Sequence, residues 1–366
     1  MAYSSVGRPV FYIDNYLYHK TIGTTMTTIG YDSIFGFITP DIAPELFTLN
    51  PAIARQLSDI TGNGDNTIHI PMPSSFMDYD LTGNMKTYIA VLNHNGATNC
   101  GWGYVEAQYG NNKHFQHNVS QSNAVEVLNG QNDGTWYQPL PGSSIVTGSD
   151  PIEGENFKLG LLNNPNLRVG AISTGIQYTM PHSPDLKLSM EIEMDGIDTT
   201  TTSGGGTISN VKYTGNPLWV NGDNKTNCFD VYGDEGLDVT QTGARRNGRK
   251  SWNLKFSYIS ETDLFSSNPK GGNYTEHPAD STYNNGDLSS GAQHSENTLA
   301  FNIETDDSFY AQVWNKTLGG ALSFIFQPNS NDNDDFYICR FDQNSLRVSQ
   351  SAYKVYDISV KIVETW

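Results

Sequence analysis

Cysteine is nearly missing from this chain: Cys100, Cys228 and Cys339 are the only three in 366 residues. They are odd in number and widely spaced, so neither a disulfide framework nor a zinc-ligand spacing follows. Positive charge is also scarce. There are 21 Lys and Arg against 39 Asp and Glu, a net charge of −18. Phosphate binding needs cations, so direct nucleic-acid binding is not expected. An acidic surface serves solubility, and it would also let DNA slide past. Charged residues of both signs reach only 16%, below the roughly 25% of an ordinary soluble domain.

Other signals are lacking too. No apolar run approaches the roughly 20 residues that span a bilayer, so no membrane partner is expected. The opening Met1 to Gly7 has no basic region followed by an apolar core, so no secretory signal is read there. Synthesis in a reducing cytoplasm is the expectation, and the sequons at Asn118, Asn224, Asn273 and Asn315 then have no glycosylation route. No serine elbow, phosphate loop or dinucleotide fingerprint occurs. Gly204-Gly205-Gly206 has no Lys-Ser/Thr after it. Carboxylates are numerous, but nothing singles out a glycosidase pair. The expectation is a non-enzyme.

What fills the space is Asn, Gly, Ser and Thr, which favour turns and caps, together with 20 Tyr and 16 Phe, which favour strands. Val10 to Ile13 reads as a strand. Asn50-Pro51 reads as a helix start, with Gly62 as its stop. Residues 1–62 are therefore expected to be a strand–helix segment that makes an assembly contact. Residues 63–197 read as β-rich, with strands at Lys86 to Leu92 and Leu186 to Met194. Residues 198–207 read as a flexible loop, and residues 208–366 as a C-terminal sandwich region. Ser266 to Asn297 reads as a long loop. A second helix is expected from Asp307-Ser308 to Lys316, stopped at Gly319-Gly320. Leu322, Phe324 and Phe326 read as one strand face, and Tyr356, Ile358, Val360 and Ile362 as another.

One stretch departs from the acidic background. Arg245, Arg246, Arg249 and Lys250 place four cations within six residues. Behind them Trp252, Leu254, Phe256 and Tyr258 alternate with Asn253, Lys255 and Ser257. Side chains alternate across a strand, so the four apolar residues are expected to anchor a sheet. The basic turn ahead of them offers a contact to an acidic neighbour, including another copy of the chain.

Metal and ligand signals are thin. His114 and His117, three apart with His94 upstream, sit in a loop-like context without other ligands. Asp59 to Asp65 resembles the opening of a calcium loop, but Ile70 stands where a bidentate Glu is required. A looser calcium site is conceivable there or at Asn329 to Asp335. Otherwise no metal or cofactor is expected. Trp102, Tyr104, Trp136 and Tyr137 are candidate glycan contacts.

The arrangement Gly243, Arg245-Arg246, then Ser251 to Tyr258, resembles virion proteins of tailed bacteriophages, in which an Arg-rich turn leads into a Trp-x-Leu-x-Phe strand. The ending Phe336 to Asp342 and Val355 to Ile362 with Trp366, and the opening Gly7 to Ile13, are similar to proteins of marine phages. The resemblance covers the two ends and the region around 245–365, and it implies no catalytic residues. The overall expectation is an all-β, β-dominated protein. Antiparallel sheets would pack as a sandwich or jelly roll, with two minor helices. Its role would be that of a virion structural protein, tail-associated and homo-oligomeric, made in the host cytoplasm. Its partners would be copies of itself and other virion proteins. Rival readings are a capsid or decoration protein, a module binding a host-surface glycan, and a polysaccharide hydrolase.

Overall fold

Most of the described residues lie in strands. In a computed structural model the described residues are 6–23, 43–50, 55–56, 66–71, 85–94, 103–109, 112–119, 143–148, 156–161, 168–186, 188–193, 197–211, 249–265, 274–275, 300–301, 306–332 and 336–365. The elements begin with β1 (Val10–Asp14), α1 (Asn15–Ile22) and a 3₁₀ turn (Pro44–Phe47). Then come β2 (Arg55–Gln56), β3 (Asn66–Pro71), β4 (Met85–His94), β5 (Gly103–Tyr109), β6 (Asn112–Val119), β7 (Ser143–Gly148), β8 (Asn156–Leu161) and β9 (Arg168–Thr179). Next are β10 (Ser189–Glu193), β11 (Ile197–Thr201), β12 (Thr207–Val211), β13 (Arg249–Ser260) and α2 (Glu261–Leu264). The last are β14 (Tyr274–Thr275), β15 (Ala300–Phe301), a π-helical turn (Tyr310–Asn315), β16 (Phe324–Gln327), β17 (Tyr337–Phe341), β18 (Arg347–Ala352) and β19 (Val355–Glu364). The protein is all-β in class.

One antiparallel sheet dominates, in the order β10-β13-β19-β17-β16-β1-β9-β4-β7, with β18 added on β19 and β2 on β9. A separate four-stranded sheet runs β3-β8-β5-β6. The large sheet curls. In a flat sheet β13 and β16, three places apart, would lie about 14 Å from each other. Yet the Trp252 ring on β13 sits 5.3 Å from Phe326 on β16. The Tyr178 hydroxyl at the end of β9 donates to the Asp263 carbonyl just after β13 (3.2 Å). The chain leaving β9 then crosses to pair beside β13, where the Asp185 amide donates to the Lys255 carbonyl (2.7 Å). The inner face thus closes on itself in a sandwich-like way.

Inside that curl lies the main core. Phe11, Ile13, Ile172, Ile176, Tyr178, Trp252, Leu254, Phe256, Phe324, Phe326, Cys339, Phe341, Ile358, Val360 and Ile362 are all buried there. A second core covers the opposite face of the central strands, with Val10, Tyr12, Tyr88, Ala90, Leu92, Ala171, Ile325 and Ile338. Strands β1 and β16 are therefore buried on both faces.

The expected opening strand forms, and β1 lies at the centre of the sheet, between β9 and β16. Several expectations are corrected. The helix expected from Asn50 to Gly62 is contradicted at Arg55–Gln56, which pair with Arg168 and Val169 of β9. The backbone partner offered by β9 overrides a local start signal. The helix that does form near the start, α1, comes earlier. The loop expected at 198–207 is a hairpin, in which Ile197–Thr201 pair with Thr207–Val211. Its Thr residues are β-branched and suit strands. The Gly206 amide donates to Thr202 Oγ1 (3.0 Å), and Gly205 takes a φ of 81° that a glycine adopts without strain. The helix expected at Asp307 to Lys316 forms, with a π-helical turn at Tyr310–Asn315. Gly319 and Gly320 end it with φ of 64° and 97°.

Candidate functional site

Strand alternation separates the basic residues that stand together in the sequence. β13 starts at Arg249, and Arg245 and Arg246 lie outside the described residues. Arg249 is on the same face as Asn253 and Lys255, in register with Glu193 of β10. Lys250 is on the other face, in register with Ile192. Its Nζ donates to the Tyr337 hydroxyl and lies 4.5 Å from the centre of that ring. Its amide donates to Glu364 Oε2 (3.0 Å). Lys250 is thus half-buried and engaged within its own chain.

Trp252, Leu254 and Phe256 are buried in the inner core, as their spacing leads one to expect. Tyr258 is not. Phe256 is in register with Ile358 and Ile259 with Tyr356, so Ser257 and Tyr258 together face the single residue Asp357. This bulge shifts the alternation by one position. Ile259 takes the inner place, and Tyr258 stands out on the surface with 77% of its area exposed. Its φ is +66°, a left-handed conformation that is a rare outlier for a bulky side chain. The Asp357 carboxylate fixes it there, because Oδ1 accepts from the Tyr258 amide (3.1 Å).

The outer face around the bulge carries a chain of charges. Lys255 Nζ lies 3.7 Å from Asp185 Oδ2 and 3.8 Å from Asp357 Oδ2. The Ser257 hydroxyl donates to Asp185 (2.7 Å), and the Ser351 hydroxyl donates to Asp357 (3.1 Å). Further along, Lys361 donates to Asp342 (2.6 Å). That bond, with the Asp342, Glu191 and Glu193 carboxylates, holds the Lys361 ammonium above its ordinary pKa. The sheet ends at β10, which among the described residues pairs on one side only. Leu186 and Ile192, expected on an inner apolar row, stand exposed at this edge.

A second polar cluster lies inside the protein, and the sequence reading passed over it. Asp14 ends β1 and caps α1, its Oδ1 accepting from the Leu17 amide (2.8 Å). Burial pushes its carboxyl up to about 7, although hydrogen bonds from Leu17, Ser173 and Tyr16 oppose the shift. The Ser173 and Tyr88 hydroxyls share a hydrogen bond of 2.7 Å. Burial, then the Asp14 charge, pushes the Tyr88 phenol well up. Between Asp14 and Tyr88 in register lies Gly175. A Cβ there would fall on the Ile13 carbonyl oxygen, so no larger residue fits. On α1, burial and then the Lys316 charge hold His19 down to about 3. Lys316 Nζ donates to Gln312 Oε1 (2.8 Å), and Asn315 Nδ2 donates to the Tyr18 hydroxyl (3.3 Å). Asp14, Ser173, His19, Gln312 and Lys316 are all buried. Asp14, through Ser173 and Tyr88, ties the start of α1 to β9 and β4, and the Asn315–Tyr18 bond ties α1 to the π-helical turn. The one local signal for it is the Asp14-Asn15 pair directly after a strand, a helix start that a run of only eight residues makes hard to read.

The other expected site residues are placed only in part. Tyr104 lies in β5, while Trp102, Trp136 and Tyr137 lie outside the described residues. His114 and His117 both lie in β6, so the spacing that would suit a helix falls on a strand. The possible calcium loop at 59–65 is outside the described residues, as are 333–335 of the second. In the described part of that second loop the Asp332 amide donates to the Asn329 carbonyl (2.9 Å) and the Ser330 amide to the Arg8 carbonyl (2.8 Å). Among the described residues no group of three or more His, Cys, Asp or Glu is placed to hold a metal, and no helix is long and apolar enough to cross a membrane.

No family model, curated protein or solved structure matches the chain. The class it belongs to therefore rests on its own geometry: an all-β protein built on one large curled antiparallel sheet, with a charged outer face and, among the described residues, an edge at β10.

Proposed function

We propose that the protein is a structural component of a tailed-bacteriophage virion, attached to the tail and acting through contacts between subunits. The observation that supports this most is the β10 edge. An edge strand presents unpaired backbone donors and acceptors to a strand from a neighbour. At this edge Ile192 and Leu186 add apolar surface that stays in water in the single chain. Glu191 and Glu193 beside them are exposed and offer a negative surface to a basic partner. The Arg245-Arg246 pair of another copy has the charge for that contact. The likeness of the Arg245 to Tyr258 stretch to phage tail proteins supplies the setting.

Sedimentation velocity on the unchanged protein and on an Ile192→Lys variant tests the reading. A closed oligomer that falls to a monomer in the variant is expected. Arg245→Glu combined with Arg246→Glu should weaken the same assembly. A protein that is monomeric at every concentration would remove the basis for this role. Particle images then separate a tail from a shell: rings on an axis suit a tail, and lattice contacts suit a capsid or decoration protein.

A further inference from the structure

We propose that the β10 edge of one copy pairs with the β18 edge of the next, so that a single sheet runs from subunit to subunit. The inference rests on the assembly proposed above and names the strand that enters it.

The sheet has a second edge of the same kind. Among the described residues β18 pairs with β19 and with no other strand. β10, β13, β19 and β18 follow one another, each antiparallel to the next. The two outer strands of this group, β10 and β18, therefore run in opposite directions. A second copy placed alongside in the same orientation brings its β18 antiparallel to β10. Both faces of the sheet then continue across the join.

The side chains agree with that join. Met190 is in register with Trp252 and Val348 with Ile358, and both pack against the inner core. Ile192 lies on the face of Met190 and would come beside Val348 of the next copy, which covers part of its exposed surface. The outer rows are Glu191 and Glu193 on β10 and Arg347 and Ser349 on β18, all of them exposed. Arg347 has no ion pair among the described residues. Setting Glu193 opposite Arg347 also sets Ile192 opposite Val348, Glu191 opposite Ser349 and Met190 opposite Gln350. This register uses the regular part of β18, whose pairing with β19 shifts only after Gln350.

Opposite charges directly across a strand pair stabilise it, and like charges destabilise it. The same rule disfavours a two-fold join of β10 with β10, because Glu191 would then face Glu191 or Glu193 of the partner. Each copy thus uses one strand on one side and a different strand on the other. Such a contact repeats into a ring where the rotation closes, and into a filament where it does not.

A chain carrying both Glu191→Cys and Ser349→Cys, treated with a short bis-maleimide, reads the join. Within one copy the two positions lie three strand spacings apart, about 14 Å, further than the reagent reaches. A ladder of linked copies extending beyond the pair is expected on a denaturing gel. Mass spectrometry of the digest should find position 191 joined to position 349, and it separates this link from any through the native Cys100 or Cys228. Arg347→Glu should raise the dissociation constant of assembly about tenfold in sedimentation velocity. Arg340→Glu alters another exposed arginine, on β17 away from the edge, and should assemble as the unchanged protein does. The proposal is overturned if the ladder stops at a pair joined 191 to 191 or 349 to 349, if Arg347→Glu assembles normally, or if Arg340→Glu loses as much. An assembly that forms without the 191–349 link overturns the join alone. An unchanged protein that is monomeric at every concentration overturns the join and the assembly together.

Discussion

β10 and β13 lie side by side and read alike in the sequence, with apolar and polar residues in strict alternation. Their fates differ. β13 has β10 on one side and β19 on the other, and the curled sheet lies over its apolar face. Trp252, Leu254 and Phe256 are each at most 2% exposed. β10 has a neighbour on one side only among the described residues, and Ile192 is 53% exposed. Alternation tells which side chains share a face. Whether anything covers that face is decided by the place of the strand in the sheet, which is a property of distant segments.

The sharpest way to break the comparison is to truncate both strands. Trp252→Ala should cost about 3–5 kcal/mol of unfolding free energy, because it removes buried area and leaves a cavity. Its unfolding midpoint in urea measures this, and a loss below about 1 kcal/mol would mean that β13 is no better covered than β10.

Covered and uncovered positions should also differ in their response to pH. Asp14 and His19 are buried and shifted in opposite directions. Asp14, raised to about 7, favours folding fully below its unfolded value near 4, and that contribution is lost as pH rises through 7. His19, lowered to about 3, favours folding fully above its unfolded value near 6.5, and that contribution is lost as pH falls toward 3. Between about pH 4 and 6.5 the two slopes, each about 1.4 kcal/mol per unit, offset one another. Asp14→Asn should therefore unmask an acid-labile protein, losing about 1.4 kcal/mol for each unit of acidification below pH 6.5. His19→Gln should do the reverse and become more stable as pH falls from 7 to 5. Denaturation midpoints at pH 5 and 7 decide it, and two variants that both track the unchanged protein would refute the offset.

Smaller effects follow at the surface. Tyr258→Gly relieves a left-handed tyrosine and removes little buried area, so a gain of up to about 1 kcal/mol is expected from thermal unfolding. A clear loss would show that the ring supports the bulge. Ile192→Thr should change the stability of the single chain by less than about 0.5 kcal/mol. A larger loss, measured at dilutions where the chain is monomeric, would mean that something already covers the β10 edge.

The all-β class was legible in the sequence because Trp252, Leu254 and Phe256, and likewise Ile358, Val360 and Ile362, keep the two-residue period without interruption. Tyr258 misled because the bulge depends on Asp357, a residue 99 positions later that holds its amide. Arg55 and Gln56 misled because a helix start is local, while their partners Val169 and Arg168 are not. The Thr, Ser and Gly run after Asp198 reads as loop by composition, yet the same threonines form a hairpin once a glycine permits the turn. Lys250 and Arg249 look like one patch in one dimension and face opposite ways in three. The buried row of Asp14, Ser173 and Tyr88 was hidden because its members come from three separate strands.

The central position of β1 carries a consequence for how the chain comes to be folded. Tyr12 is in register with Gln177 on one side and Ile325 on the other. The second partner follows 325 − 12 = 313 residues later. At the roughly 5–20 residues per second of synthesis, β1 waits about 15–60 s for that neighbour. Its apolar residues, Val10 to Ile13, are without their final cover for the whole interval. The sheet can be completed only after β16 has been made, so a ribosome-bound fragment ending before Phe324 should hold β1 open to proteases and chaperones, and a fragment that extends past β19 should close it.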